Sequence, residues 1–178
     1  MSEKFDGVRG YWTGSGKQFF SKSGKIINAP LHFTEKIPRN ALDGEFWYAT
    51  WEPLVSSLIH HRIERCLFDT TSGIVRTTTS PPTNWDRMRF MVFDAPLFSG
   101  SFEQRYDALK KLRFPTHIVL VEQVKCEGKQ HLQRFWEEVE TMKGEGIVLK
   151  NWKSRYTPNG RSKFVCCKLK VWQESHGF

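Results

Sequence analysis

Lys4–Phe5–Asp6–Gly7–Val8–Arg9 brings an amine, a carboxylate and a guanidinium into one short string. If the string is extended, its period of two sends Lys4, Asp6 and Val8 to one face, so that amine and carboxylate point together. A lysine so placed becomes a nucleophile when neighbouring cations disfavour its protonated form. Arg9 and the bases near the C-terminus can supply part of that field. Taken alone, the string is better described as a surface lysine paired with an aspartate. Other tempting groups reduce to packing. His60 and His61 near Cys66 suggest zinc, yet a site needs four converging ligands and no second pair stands at ligand spacing. Cys166 and Cys167 occupy strand positions suited to small apolar side chains and read as buried thiols. Phe46, Trp47, Tyr48 and Trp51 can stack bases, but aromatics in a half-buried strand belong more often to the core.

The elements that would position Lys4 follow from periodicity. Lys4 to Trp12 reads as a strand, with Thr13–Gly14–Ser15–Gly16 as a turn and Lys17 to Ser21 as the return of a hairpin. Pro30 to Glu35 is a short helix and Ala41 to Ala49 an aromatic strand. Trp51 to Arg62 is helical, with Leu54, Val55, Leu58 and Ile59 at helical spacing. Between Asp69 and Asn84 the composition shifts to Thr, Ser, Pro and Gly, which predicts a long surface loop over residues 69–84. Arg87 to Asp94 and His117 to Val124 are strands around a helix from Phe102 to Leu112. Lys129 to Met142 is the longest helix, predicted to bury Leu132, Phe135, Val139 and Met142. Gly146 to Lys150 and Lys163 to Trp172 are the last strands. Strands interrupted by helices, with hairpin-length connections, predict an α+β domain of mainly antiparallel sheets. At 178 residues, with seven Trp and fourteen Phe, the chain is one domain with a substantial core.

Charge narrows the partners. With 27 Lys and Arg against 19 Asp and Glu the formal charge is +8. From position 150 onward Lys150, Lys153, Arg155, Arg161, Lys163, Lys168 and Lys170 face a single acid, Glu174. Such a strip suits phosphates, in a nucleotide or a nucleic acid backbone, as well as it suits plain solvation. No apolar run approaches a membrane span, and the first ten residues lack the apolar stretch of a secretory signal. The expectation is an intracellular monomer, in cytoplasm, nucleus or mitochondrion, with reduced cysteines.

Several strings in a fixed order sharpen this picture. The chain resembles the nucleotidyltransferase domain of ATP-dependent polynucleotide ligases, and is most similar to the small bacterial-type Lig E DNA ligases. KxDGxR matches Lys4 to Arg9, and Ser21–Lys22–Ser23–Gly24 resembles the next motif. Leu42–Asp43–Gly44–Glu45–Phe46–Trp47 resembles the DGE strand, and Arg89 to Pro96 the FD strand. Glu145 to Lys150 and Lys168–Leu169–Lys170 resemble the last two motifs. The resemblance spans nearly the whole chain. It implies a ligase-type, ATP-grasp-like nucleotidyltransferase fold, and at 178 residues the expectation is that fold with no OB domain.

It also implies a chemistry. Lys4 attacks the α-phosphorus of ATP, giving a lysyl-AMP intermediate, and AMP then passes to the 5′-phosphate of a nick in duplex DNA. An RNA acceptor or a capping-type reaction uses the same chemistry. Lys168 and Lys170 would clamp the α-phosphate with Arg9 at the ribose or the nick, while Glu3 and Lys150 join the nucleotide contacts. Glu45 would accept from the ribose hydroxyl and Phe93 would stack on adenine. Glu145, with Asp6, would hold Mg²⁺ or Mn²⁺. Lys22, Arg161 and Lys163 would contact nucleic acid. Lys22 stands where the motif usually carries Arg, which keeps charge but loses the bidentate fork. Family members also carry a preceding segment and a following OB domain, for which these 178 residues leave no room; the expectations are a truncated gene product, a separate OB-fold protein as partner, or a fold retained without full ligation. A noncatalytic nucleic-acid-binding module derived from a ligase is the rival reading.

Overall fold

A computed structural model describes residues 1–48, 68–78, 84–158 and 166–170. Six strands form the larger sheet, in the order β4 (Ile26–Ile27), β3 (Phe19–Ser21), β2 (Val8–Trp12), β5 (Leu42–Tyr48), β6 (Met88–Asp94) and β7 (Ile118–Leu120). Its neighbours are antiparallel except β7, which runs parallel to β6. The smaller sheet is β1 (Ser2–Glu3), β8 (Gly146–Lys150) and β9 (Cys166–Lys170), all antiparallel. Helices α1 (Leu31–Thr34), α2 (Phe68–Arg76), α3 (Phe102–Lys110) and α4 (Lys129–Thr141), with one 3-10 turn over Gly14–Gly16, complete the described elements.

Alternation along β2, β5 and β6 assigns the two faces of the larger sheet. Val8, Trp12, Leu42, Phe46, Phe90 and Val92 belong to the main core, with Phe33 of α1 and Phe102 and Leu109 of α3. Trp47, Met91 and Val121 form a second cluster on the opposite face, with Phe5 and Phe93 against it. Gly44 keeps the two central strands close. A Cβ there would stand 2.6 Å from the Met91 carbonyl oxygen and 2.7 Å from Phe90 Cζ, so any larger residue forces the strands apart.

The predicted strand from Lys4 to Trp12 is not continuous. Ser2 and Glu3 pair with β8, Val8 begins the pairing with β5, and residues 4–7 cross from one sheet to the other. Val8 packs on the main core, so it does not share a face with Lys4. The alternation was real, but a two-sheet connection needs a break that hydrophobic pattern does not signal. The Lys4 amide still donates to the Gly146 carbonyl at 2.8 Å, which anchors the nucleophile candidate at the seam. Gly146 itself has φ +144°, and a Cβ would lie 2.0 Å from the Leu169 carbonyl oxygen, so β8 and β9 meet there only with glycine.

Two other expectations change. Part of the predicted surface loop is α2, whose Thr71, Ser72, Ile74 and Val75 are buried. Burial of that face overrides the weak helical propensity of Thr, Ser and Gly. The Tyr48 amide donates to the Thr71 hydroxyl at 3.2 Å, tying α2 to the end of β5. In α4 only Val139 is buried, whereas Leu132, Phe135 and Met142 are half-buried. A three-stranded sheet is too narrow to cover a helix of that length. The predicted helix over 51–62, with His60 and His61, lies outside the described residues, as do Cys66 and residues 79–83. Cys126 is exposed, and Cys166 and Cys167 are half-buried free thiols rather than fully buried ones. Among the described residues, no helix is long and apolar enough to cross a membrane.

Candidate active site

The two sheets enclose a cleft of about 210 Å³. Its walls carry Lys4 from the crossing segment, Arg9 from β2, Asp43 and Glu45 from β5, and Phe93 and Asp94 from β6. The smaller sheet adds Val148, Lys150, Cys166 and Lys168. Antiparallel register sets Val148 opposite Lys168 and Lys150 opposite Cys166, so one face of β8 and β9 looks into the cleft. That Phe93 and Asp94, adjacent in sequence, both line it is due to a bulge. Asp43 pairs with Asp94 but Gly44 pairs with Val92, leaving Phe93 as the extra residue on β6. A bulge re-aims side chains that strict alternation would send apart.

Lys4 Nζ donates to Glu145 Oε2, and Glu145 Oε1 accepts from Lys170 Nζ at 2.9 Å. Glu145 therefore bridges the amine in the cleft to the exposed end of β9. Asp6 is exposed beside this cluster; desolvation first, then the charge of Glu145, raise its carboxyl above the ordinary range. Asp43, almost fully buried, accepts from Arg9 Nε at 2.9 Å, Arg9 Nη2 at 2.6 Å and the Tyr156 hydroxyl at 2.9 Å. The Arg9 guanidinium carbon lies 5.9 Å from the centre of the Phe93 ring.

A second buried network supports Phe93. Arg105 Nε and Nη2 donate to the two oxygens of Asp94 at 2.7 and 3.2 Å. Lys150 Nζ donates to the Phe93 carbonyl at 2.9 Å and to Asp94 Oδ2 at 3.5 Å, and stands 4.8 and 4.3 Å from the Phe93 and Phe102 ring centres. Desolvation lowers the Lys150 ammonium from its usual range, against the pull of Asp94. Cations close to a ring attract its face and help to fix it in place.

Burial also pushes the carboxyls of Glu45 and Glu3 up to about 7; at Glu45, Lys168, Lys4 and Arg9 pull the other way. Glu3 lies against Gly144, where an added Cβ would come within 3.0 Å of its Oε1. Among the described residues no hydrogen bond or ion pair engages its carboxyl. A carboxyl that titrates near 4.5 when unfolded and near 7 when folded binds more protons in the native state across that interval. Its contribution to stability is therefore greatest below 4.5 and falls as pH rises to about 7. Glu3→Gln is expected to flatten the pH dependence of the melting temperature over that window and to melt above the wild type at pH 8. Parallel melting curves for the two proteins from pH 4.5 to 8 would refute this.

Of the residues singled out from sequence, Glu3, Lys4, Arg9, Glu45, Phe93, Lys150 and Lys168 line the cleft. Glu145 and Lys170 join it through Lys4, with Asp6 beside them. Lys22 is exposed in the turn between β3 and β4 and does not reach it. Arg161 and Lys163 lie outside the described residues. Sequence reasoning assigned no role to Asp43, Asp94, Arg105 or Tyr156. The two aspartates stand inside strings already noted, and Arg105 is a charge on the inward face of an amphipathic helix. Tyr156 carried no local signal.

Comparison with known proteins finds relatives that match nearly the whole chain. Residues 1–170 match the family model described as the ATP dependent DNA ligase domain. A curated DNA ligase of Haemophilus influenzae is 34% identical over 174 residues, which cover 96% of this chain and 57% of the relative. A solved structure from the Lig E DNA ligases, studied as DNA binding with a minimal scaffold, superposes with a TM-score of 0.77 at 31% identity, over 96% of this chain and 60% of that one. The Chlorella virus DNA ligase-adenylate shares the fold, with a TM-score of 0.71 at 18% identity over 95% of this chain and 61% of its own. The chain thus spans less than two thirds of the length of these relatives.

Proposed function

The chain belongs to the ATP-dependent DNA ligase domain family, and from that premise we propose that it is the adenylation centre of a ligase that seals nicks in duplex DNA. The observation that carries the proposal is Lys4 at the seam of the two sheets, in one cleft with Arg9, Glu45, Phe93 and Lys168. An amine, an aromatic face, a carboxyl and two cations are the groups that an adenine nucleotide and its α-phosphate require.

In this reading the Lys4 Nζ lone pair attacks the α-phosphorus of ATP. The N–P bond forms as the bond to pyrophosphate breaks, and the amine loses its proton. Glu145 already accepts the hydrogen bond from Nζ, so the departing proton has an acceptor in place. Lys168 stabilises the charge that develops on the α-phosphoryl oxygens, with Lys170 next on the same face of β9. Phe93 stacks on adenine, and Glu45 accepts from the ribose. An oxygen of the nick 5′-phosphate then displaces Lys4 from AMP, and the 3′-hydroxyl finally displaces AMP to form the phosphodiester bond.

Mg²⁺ or Mn²⁺ fits the donors near Lys4. Glu145 and Asp6 are hard carboxylate ligands, and the Asp6 carboxyl lies near enough to Glu145 to feel its negative charge, which a divalent ion between them would relieve. Mg²⁺ is commonly bound through one or two carboxylates plus substrate phosphates, so a site need not contain three ligating side chains. Bound there, the ion supplies charge neutralisation at the phosphates.

A duplex with one nick tests the acceptor. Wild-type protein with ATP is expected to seal a 5′-phosphorylated DNA nick, and to seal a preadenylated nick without ATP. Lysyl-AMP formation with neither DNA nick sealed, while an RNA nick is joined, would overturn the DNA assignment.

A further inference from the structure

We infer that Tyr156 is a positioning residue for this centre, acting through Asp43 to fix the guanidinium of Arg9 over the cleft; the inference rests on the adenylation reading above. The Tyr156 hydroxyl donates to Asp43 Oδ2 at 2.9 Å, the same oxygen that accepts from Arg9 Nη2 at 2.6 Å. Asp43 Oδ1 takes Arg9 Nε at 2.9 Å. The Arg9 side chain is 44% exposed, so one carboxylate must hold a long and otherwise mobile group. Side-on pairing consumes Nε and one hydrogen of Nη2, and leaves the Nη1–Nη2 edge for an oxygen of the nucleotide or the nick.

The tyrosine is itself held firmly. Its segment is docked on the start of α3, where the Phe102 and Glu103 amides donate to the carbonyls of Ser154 and Trp152 at 2.8 and 3.0 Å. Arg105 Nη1 donates to the Ser154 carbonyl at 3.2 Å, and the Arg105 guanidinium carbon lies 5.7 Å from the Tyr156 ring centre. Burial and the charge of Asp43 raise the phenol well above its usual range, so it remains a donor at neutral pH. A hydroxyl serving only to fill space would need neither a buried carboxylate partner nor this support.

The test is the rate at which full-length wild type, Tyr156→Phe, Arg9→Ala and the double variant acquire AMP from ATP with Mg²⁺, measured across ATP concentrations. Tyr156→Phe keeps the ring and removes only the hydroxyl. Its limiting rate is expected to fall about tenfold, the scale of one hydrogen bond to a charged group, while its melting temperature stays near that of the wild type. In the Arg9→Ala background the same change should have no further effect, because its route is gone. Asp43→Ala removes the shared acceptor and gives a second path to the same result, and should be no slower when Tyr156→Phe is added. Full-rate adenylation by Tyr156→Phe, or a double variant slowed by the product of the two single effects, overturns the positioning role alone. Absence of AMP on the wild type overturns it together with the adenylation reading.

Discussion

Lys4→Ala is expected to lose AMP transfer from ATP by about three orders of magnitude or more, the scale seen when a covalent nucleophile is removed. The fold should survive. Lys4 is half-buried at a crossing between sheets, its amide bond to Gly146 is backbone, and its side-chain partner Glu145 keeps Lys170 at 2.9 Å. Lys4→Arg should fail equally, because a guanidinium stays protonated and offers phosphorus no lone pair. Retention of charge without activity separates the nucleophile from a phosphate clamp. Transfer from α-labelled ATP, followed beside the melting temperature, reads both. Appreciable labelling of either variant would move the nucleophile to another residue.

Arg105→Met should produce the largest loss of stability. The Arg105 side chain is 2% exposed and that of Asp94 is 7% exposed, so neither charge has water to fall back on. Removing the guanidinium leaves Asp94 with the Ala95 amide at 2.9 Å and the more distant Lys150 at 3.5 Å, takes a donor from the Gly100 carbonyl, and leaves the Ser154 carbonyl with the Phe102 amide. Breaking one side of a buried pair costs about 3–5 kcal/mol. At about 2–4 °C per kcal/mol for a chain of this size, the melting temperature should drop by roughly 6–20 °C. Asp94→Asn should fall in the same range, since it leaves two buried cations facing a neutral amide. The double variant should lose less than the sum of the two. Denaturant titration checks this, and a loss below about 1 kcal/mol in Arg105→Met would show that the site relaxes around the missing charge.

The strings around Lys4, Glu45, Phe93, Glu145 and Lys168 were legible through their ordered resemblance to the ligase motifs; residue type and strand period alone leave Phe93 in the core and Glu45 and Glu145 as ordinary exposed acids. Four of these five line the cleft, and the fifth, Glu145, joins it through Lys4. The break between β1 and β2 was not legible, since residues 4–7 continue the alternation while the backbone changes sheets. The bulge at Phe93 was equally hidden, because one extra residue alters which face a side chain meets without altering composition. Arg105 and Tyr156 escaped for another reason. Their partners, Asp94 and Asp43, are 11 and 113 residues away, and the longer of these contacts exists only once both sheets and α3 have assembled. Helix α2 shows the opposite failure, in which a Thr- and Ser-rich stretch was assigned to the surface although tertiary burial holds it as a helix.

One covalent bond, from Lys4 to AMP, carries the proposed function. Its most direct test is to incubate the protein with ATP and Mg²⁺, measure the intact mass, digest it, and locate the modified peptide. A single AMP is expected, on Lys4, and excess pyrophosphate should remove it. An unchanged mass, or AMP mapped to any other lysine, would contradict the proposed function.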